Sequence, residues 1–290
     1  QADRENQRYL PGCVLPPSLS VWSDLTACVA GCRDVLLVVP SHAFLASLQR
    51  LRSCGEDWRI AWGTKGLCPE SGEVLSTLVA EVFSDAMPAA VLSGPSFAAE
   101  VVRGVPTAVS VASNDAAWLV DLSQRFHSDV FRVYQNEDLS GVQLCGVLKN
   151  VLAIAVGVAD GLQLGANSRA ALITRGLAEM SRFCVAQGGE EKTVMGLAGV
   201  GDVMLTCTDD QSRNRRFGLA LGRGLTAQAA FTEIGQEVEG AHNVRQVYLL
   251  SERLGLDMPI TTAVYRLLEG QVTPENMVLD LMQRTPKTEN

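Results

Sequence analysis

The chain has 290 residues, which is enough for about two domains of ordinary size. Hydrophobic residues make up 47% of the chain and charged residues 19%, a composition that supports sizeable cores and excludes an intrinsically disordered protein. The net charge of −8 argues against a protein that coats nucleic acid, and the apolar runs fall short of the ~20 residues that a membrane span needs.

The chain begins with Gln1 instead of an initiator Met. The polar segment Gln1–Arg8 is typical of the end of a helix. It does not resemble a signal peptide, because no basic flank leads into an apolar stretch. We therefore expect that the natural N-terminus lies upstream of Gln1.

Residues 34 to 134 alternate short β-like runs with helical segments. Five apolar runs predict strands: Asp34–Val39, Arg59–Thr64, Ala89–Ser93, Thr107–Ala112 and Val130–Tyr134. Three segments between them predict helices: Ser41–Leu51, Ser71–Phe83 and Asp115–Phe126. This alternation predicts an α/β sheet, in which functional loops follow the carboxyl ends of the strands. Pro40, Lys65 and Gly94 all occupy such loops.

The pattern changes after about residue 140. Four segments read as helices, with no convincing strand between them: Val142–Gly157, Asn167–Ala186, Arg215–Leu221 and Ala241–Leu254. We predict a domain boundary here, with an α/β domain over residues 1–140 and a helical domain over 141–290.

A Lys-Asn pair, Lys149 and Asn150, interrupts an apolar run that extends from Gly141 to Gly157. An ammonium in apolar surroundings has a lowered pKa, which suits proton transfer. The alternative is a helix lysine whose stem is buried and whose head reaches water. Lys65, at the end of a strand, likewise reads either as a surface lysine or as a site residue.

Three further segments carry candidate site residues. Ser93–Glu100 predicts a tight turn into a helix, with Ser96 as the N-cap and backbone amides that could receive an anion or a carboxamide. Gly196–Gly201 does not have the glycine order of a GxGxxG loop and predicts a turn that positions Asp202. Gln236–Gly240 reads as an exposed acidic helix start, or as carboxylates that accept from ribose hydroxyls or a carboxamide.

Ser212 precedes a basic cluster that contains Arg213, Asn214, Arg215 and Arg216. Three arginines near a helix N-terminus oppose the helix dipole, which costs stability unless an anion is present. The cluster therefore favours a phosphate site. The alternative is a solvated helix start with local ion pairs.

Two residue types argue against other classes of protein. The eight cysteines are scattered without a Cys-x-x-Cys pair, which is typical of a reduced, cytoplasmic protein. The histidines His42, His127 and His242 are too dispersed to predict a metal site. We therefore expect no metal.

Eight motifs occur in order along the chain: Asn6–Gly12, Val39–Phe44, Thr64–Gly66, Ser93–Ala98, Leu148–Val151, Asn167–Gly176, Gly199–Asp202 and Ser212–Gly218. Over essentially its entire length the chain resembles the bacterial NAD(P)-dependent glycerol-3-phosphate dehydrogenase family. The resemblance implies a Rossmann-like dinucleotide-binding domain, an all-α C-terminal domain and a site between them. It also implies reversible reduction of dihydroxyacetone phosphate to sn-glycerol 3-phosphate with NADPH or NADH, a reaction that feeds glycerophospholipid synthesis.

The resemblance also implies roles for individual residues. Lys149 looks like the catalytic acid and base at the C2 oxygen. Substrate contacts would come from Lys65, Gly94, Ser96, Lys149, Asp202, Ser212, Arg213 and Asn214. Cofactor contacts would come from Lys65, Ala98, Arg213, Glu237 and Glu239. We expect a small phosphorylated substrate and a homodimer, with no nucleic-acid partner and no membrane span.

The sequence departs from the family pattern in two places. That pattern opens with a strand, a GxGxxG loop, a helix and a second strand, and roughly its first 40 to 50 residues have no counterpart here. That part carries the pyrophosphate loop and the residues that distinguish NADH from NADPH, so the preference stays open. Glu237 also stands where the family usually has an aliphatic residue.

Two other functions remain to be compared with this one. A two-domain dehydrogenase of a β-hydroxy acid would also pair a nucleotide domain with a helical domain and a lysine, although the cluster at Ser212 favours phosphate. A catalytically silent binding protein could retain the fold, although Lys65, Lys149 and Asp202 argue against it.

Overall fold

Five strands between residues 34 and 136 form one sheet, in their order along the chain. The computed structural model describes residues 4–285. The strands are β3 (Asp34–Leu37), β4 (Arg59–Trp62), β5 (Ala89–Ser93), β6 (Thr107–Ser113) and β7 (Phe131–Asn136). All neighbours are parallel except β5 and β6, which are antiparallel. The predicted strands are confirmed, with ends that differ by at most two residues.

Helices alternate with these strands, as the sequence predicts. They are α1 (Leu25–Val29), α2 (Phe44–Arg52), α3 (Leu75–Val82), α4 (Ala98–Val101) and α5 (Ala116–Phe126), and a 3-10 turn over Ser41–Ala43 leads into α2. Because β3, β4 and β5 are parallel, their carboxyl ends lie at one edge of the sheet. The loops with Pro40, Lys65 and Gly94 therefore share that edge.

A short hairpin, not a helix, precedes the sheet. Its strands β1 (Glu5–Asn6) and β2 (Leu10–Val14) are antiparallel. Gly12 adopts a φ of 80° and donates its backbone N–H to the Glu5 carboxylate. The predicted helix end over Gln1–Arg8 is therefore wrong for its described part, because polar composition indicates exposure without indicating a helical period. Residues 1–3 lie outside the described residues.

From Leu139 to residue 285 the described elements are all helical. They are α6 (Leu139–Gly161), α7 (Gly165–Ala186), α8 (Glu191–Val194), α9 (Asp202–Thr208), α10 (Arg213–Gly222), α11 (Ala227–Ile234), α12 (Glu239–Arg253), α13 (Pro259–Leu268) and α14 (Pro274–Met282). The Asp138 carboxylate caps α6 by accepting from the Gly141 N–H at 2.7 Å. The predicted helical half is confirmed.

The central helix α6 has 23 residues and, by length and composition alone, could cross a membrane. Its most apolar stretch is entirely buried within the protein, which is typical of the core helix of a globular protein. The main hydrophobic core continues from the sheet to these helices without a break. The division into domains over 1–140 and 141–290 therefore stays a prediction.

Helices α6 and α10 cross in direct backbone contact. A Cβ atom on Gly157 of α6 would lie 2.2 Å from the Arg215 carbonyl oxygen, and one on Gly218 of α10 would lie 2.1 Å from the Ile154 carbonyl oxygen. Only glycine fits at such an approach. The crossing fixes the helix that carries Lys149 against the helix that begins at Arg213.

Candidate active site

Two lysines from opposite halves of the chain meet at one carboxylate. Lys149 lies buried in the middle of α6, and its Nζ donates to Asp202 Oδ1 at 2.8 Å and to Thr206 Oγ1 at 2.8 Å. Lys65 follows β4, and its Nζ donates to Asp202 Oδ2 at 2.5 Å and to the Gly94 carbonyl oxygen at 3.3 Å. Asp202 therefore joins the sheet edge to the core helix.

A π-helical turn over Leu197–Gly201 delivers Asp202 to this position. The Gly201 N–H donates to the Gly196 carbonyl oxygen at 3.2 Å, the i to i+5 spacing of a π-helix. A Cβ on Gly199 would lie 1.9 Å from the Val194 carbonyl oxygen, so the turn requires glycine. This geometry fits the predicted positioning turn and not a pyrophosphate loop.

Burial and charge set the ionisation of this cluster. Burial lowers the pKa of Lys149 to about 8, although the Asp202 carboxylate opposes the shift. Burial also opposes ionisation of Asp202, but the ammonium groups of Lys149 and Lys65 hold its pKa below the ordinary value. Lys149 is not the surface lysine of the alternative reading, because its ammonium is enclosed by protein groups.

A chain of amide hydrogen bonds, the amide relay, connects Asn150, which follows Lys149, to Asn214 in the basic cluster and to Gly240. Asn214 Nδ2 donates to Asn150 Oδ1 at 2.9 Å, and the Gly240 N–H donates to Asn214 Oδ1 at 2.9 Å. A Cβ on Gly240 would lie 2.6 Å from the Asn150 carbonyl oxygen. The relay ties α6, α10 and α12 together and leaves one Asn214 amide hydrogen for a ligand.

The start of α10 holds one arginine whose side chain is paired, Arg215, and two whose side chains are unpaired among the described residues, Arg213 and Arg216. Ser212 caps the helix by accepting the Arg215 N–H at 3.2 Å. The Arg215 guanidinium is buried in ion pairs with Asp160 and Asp210. The side chains of Arg213 and Arg216, by contrast, make no hydrogen bond or ion pair with any residue in 4–285, and Arg216 Nε is buried without a partner. The alternative prediction, a helix start with local ion pairs, therefore describes Arg215. The Arg213 guanidinium has no such pair within that range and is available to bind an anion.

Comparisons with known proteins decide which family has this arrangement. The families described as "NAD-dependent glycerol-3-phosphate dehydrogenase N-terminus" and "C-terminus" match residues 1–119 and 138–279. Glycerol-3-phosphate dehydrogenase (NAD(P)+) of Vibrio campbellii is 50% identical over 100% of this chain and 84% of that protein. The chain belongs to the NAD-dependent glycerol-3-phosphate dehydrogenase family.

Solved structures agree with this membership. The crystal structure of glycerol-3-phosphate dehydrogenase from Coxiella burnetii matches with a TM-score of 0.95 at 49% identity, over 98% of this chain and 87% of that one. The enzyme of Saccharomyces cerevisiae matches with a TM-score of 0.82 at 27% identity, over 97% of this chain and 84% of that one. The Rossmann-like sheet followed by helices is therefore the fold of this dehydrogenase family.

The loop after β5 holds three residues expected at the dehydrogenase site. Gly94 has a φ of 142°, and a Cβ there would lie 3.0 Å from Val109 Cα. The sequence predicts Ser96 as the N-cap of α4, and this prediction is wrong. The Ser96 hydroxyl donates back to the Gly94 carbonyl oxygen at 3.1 Å, and Phe97 takes the N-cap position without a side-chain bond. Ala98 is the exposed first residue of α4.

The two glutamates assigned to cofactor contacts lie against the loop after β3. The Glu239 carboxylate accepts from the Ser41 N–H at 3.0 Å and from the Ser41 hydroxyl at 2.6 Å. Glu237 lies 2.8 Å from His242 Nε2 and 3.7 Å from His42 Nδ1. Glu239 is therefore not an exposed acid, and it positions this loop. Their cofactor contacts stay predictions.

The sequence predictions miss Thr206, which contacts both Lys149 and Asp202. Thr206 Oγ1 donates to Asp202 Oδ1 at 3.2 Å. The i to i+4 spacing of these residues is the signal that could have found it, once α9 was recognised as a helix. Within residues 4–285, no group of three or more His, Cys, Asp or Glu side chains could hold a metal ion.

Proposed function

We propose that this chain reduces dihydroxyacetone phosphate reversibly to sn-glycerol 3-phosphate. The observation that carries the proposal is a buried acid-base centre of Lys149, Asp202 and Lys65, tied through Asn150 and its contact with Asn214 to a helix whose first arginine is unpaired. The centre can exchange a proton with a reacting oxygen, and the helix start can hold a phosphate.

The sheet edge fits a nicotinamide dinucleotide. Three parallel strands end there, Gly94 leaves no room for a side chain above β6, and Lys65 and Arg213 are cations that suit diphosphate oxygens. Lys65, Ala98, Arg213, Glu237 and Glu239 would hold the cofactor, which supplies the hydride when bound. Glu239 is engaged with Ser41, so we assign its main effect to the shape of the loop after β3.

Lys149 exchanges the proton at the substrate's C2 oxygen. In the reduction its ammonium donates a proton to the developing alkoxide, and in the oxidation its free amine removes the hydroxyl proton. A pKa of about 8 makes both forms accessible near neutral pH. Asp202 orients the amine, and the positive charge of Lys65 stabilises the developing negative charge.

The start of α10 binds the phosphate. The Arg213 guanidinium supplies planar donors without having to give up a protein partner. The Ser212 hydroxyl accepts the Arg215 N–H and keeps its own hydrogen to donate, and Asn214 keeps one amide hydrogen. Binding the remote phosphate fixes C2 against the Lys149 amine, which uses binding energy for positioning.

The compartment and assembly are part of the same proposal. All eight cysteines are free thiols, as is usual in the reducing cytoplasm, where the product would enter glycerophospholipid synthesis. The net charge of −8 supports no nucleic-acid partner. The homodimer stays a prediction, which the molar mass in solution tests directly.

A substrate panel tests the proposed function. NADH and NADPH oxidation by the full natural protein would be followed with dihydroxyacetone phosphate, with dihydroxyacetone and with a β-keto acid. We expect the phosphorylated ketone to be preferred by several orders of magnitude in kcat/KM. Preference for the β-keto acid would identify the rival dehydrogenase, and no turnover of any substrate would identify a silent binding protein.

A further inference from the structure

Arg215 lies within the motif Ser212–Gly218, but neither the family resemblance nor the proposed mechanism gives it a role of its own. We infer that Arg215 positions the phosphate-binding start of α10 relative to the acid-base centre, although its own side chain makes no hydrogen bond or ion pair with Lys149 or Asp202. This inference rests on the proposed function and extends it to the residues that make phosphate recognition accurate.

The Arg215 guanidinium joins three segments that are distant in sequence. Its Nη2 donates to Asp160 Oδ2 at 2.6 Å, in the last turn of α6. Its Nε donates to the Cys207 carbonyl oxygen at 3.1 Å, near the end of α9, and its Nη1 pairs with Asp210 in the loop between α9 and α10. The Arg215 and Asp160 side chains are both buried, so solvent screens the pair between them little, whereas Asp210 is exposed.

Each of these segments carries part of the candidate site. Helix α6 carries Lys149, helix α9 begins with Asp202, and helix α10 begins with Arg213. Within residues 4–285, Arg215 is the residue whose side chain bonds to both α6 and α9 from α10. One guanidinium therefore sets the acid-base centre and the anion site at a fixed separation.

The chemistry requires arginine. The buried Asp160 carboxylate lies near the C-terminus of α6, where the helix dipole disfavours negative charge, so it needs cations. The planar guanidinium of arginine donates hydrogen bonds in three directions. A lysine could neutralise the charge of Asp160, but its single ammonium could not also donate to the Cys207 carbonyl oxygen in the same plane. Losing the guanidinium would release the turn between α9 and α10.

A matched control exists on the same carboxylate. Arg169 of α7 also pairs with Asp160, at 2.9 Å, but it bonds to neither α9 nor α10. Arg169→Gln therefore removes one cation from Asp160 without touching the turn before Arg213. The glycine contacts between α6 and α10 stay in both variants, so the helix crossing itself is retained.

The experiment compares Arg215→Gln, Arg215→Lys and Arg169→Gln in the full natural protein. It measures kcat/KM for dihydroxyacetone phosphate and for dihydroxyacetone, which lacks the phosphate, at saturating cofactor. We expect Arg215→Gln to lower kcat/KM for the phosphorylated substrate about 10- to 100-fold, the usual effect of a small misplacement. The dihydroxyacetone value should change about threefold or less, because the acid-base centre is intact.

The other variants sharpen the result. Arg215→Lys should recover part of the loss, and Arg169→Gln should leave the ratio of the two kcat/KM values within about threefold of wild type. If Arg215→Gln does not fold, Asp210→Asn tests the same turn at its exposed residue. It should lower the ratio of kcat/KM for dihydroxyacetone phosphate to kcat/KM for dihydroxyacetone several-fold.

Two outcomes overturn the inference. Arg215→Gln could leave the ratio of the two kcat/KM values unchanged, whether or not both values fall, or it could change that ratio no more than Arg169→Gln does. In each of these cases the wild-type protein still reduces dihydroxyacetone phosphate, so the proposed function stands. A wild-type protein that does not reduce it overturns the proposed function and this inference together.

Discussion

Two buried carboxylates, Asp202 and Glu179, show how neighbouring groups set the pKa of a buried acid in this protein. Asp202 accepts from two ammonium groups, and its pKa lies below the ordinary value. Among residues 4–285, Glu179 of α7 accepts only from the start of α13, from the Ile260 N–H and from the N–H and hydroxyl of Thr261. Burial raises its pKa to about 7 because these bonds do not replace a cation.

The difference separates a chemical site from a structural one. The carboxylate with two lysines stays ionised and can hold Lys149 ready for proton transfer. The carboxylate with backbone donors fastens α13 to α7 and is poised to take up a proton itself. Arg213 is the converse case, a cation without a carboxylate among residues 4–285, and it is available to a ligand.

Removing Lys149 should have the largest effect. Lys149→Met keeps the volume of the side chain and leaves Asp202 paired with Lys65, so it deletes the proton donor with little cost in packing. We expect kcat for the reduction to fall by about 10²–10⁴, the usual contribution of a general acid. Steady-state kinetics measures it, with the exposed Lys192→Met as control. Near-normal turnover would remove Lys149 from the mechanism.

Removing the unpaired cation of Arg213 should have the next largest effect on kinetics. Arg213→Met should raise KM for dihydroxyacetone phosphate about 10- to 100-fold, because a charge-assisted hydrogen bond contributes roughly 1.5–3 kcal/mol. The matched control is Arg216→Met, since the Arg216 side chain also makes no hydrogen bond or ion pair among residues 4–285. Equal effects of the two substitutions would show that Arg213 acts only through the general field of the helix start.

Removing the shared carboxylate should move the pH profile. In wild type, Asp202 raises the pKa of Lys149 against the effect of burial. Asp202→Asn removes that contribution, so the Lys149 ammonium should lose its proton at a lower pH. The falling limb of kcat for the reduction should therefore shift to lower pH. An unchanged limb would mean that another group titrates.

Replacing Glu179 should have the smallest effect, which we expect on the pH dependence of stability and not on activity. Its pKa is raised from 4.5 when unfolded to about 7 when folded, so the folded state binds the proton more tightly. This contribution to stability is complete below pH 4.5 and is lost as the pH rises to about 7. The Tm of wild type should fall relative to that of Glu179→Gln across this window. A constant difference would show that Glu179 does not titrate there.

The sequence predicts the parts of the site that local pattern determines. Each β-run ends in a turn with Pro40, Lys65 or Gly94, so the sheet edge follows from strand alternation. Lys149 follows from a single charge in an apolar helix. These features depend on short stretches of chain, and the structure places them as expected.

The remaining features depend on contacts between distant segments. The partner of Arg215, Asp160, is 55 residues away in sequence, and no local pattern pairs them. The antiparallel pairing of β5 with β6 arises because the chain returns between them without a crossover, which the alternation of apolar residues does not predict. Ser96 does not cap α4 because its hydroxyl donates instead to the Gly94 carbonyl oxygen, a local hydrogen bond that competes with capping.

The most direct test of the account is the pH dependence of kcat in both directions, measured on the full natural protein. If Lys149 is the acid and base, the reduction should decline as the pH rises through about 8, and the oxidation should decline as the pH falls through the same value. Limbs that move in the same direction, or that persist in Lys149→Met, would contradict the assignment of proton transfer to Lys149.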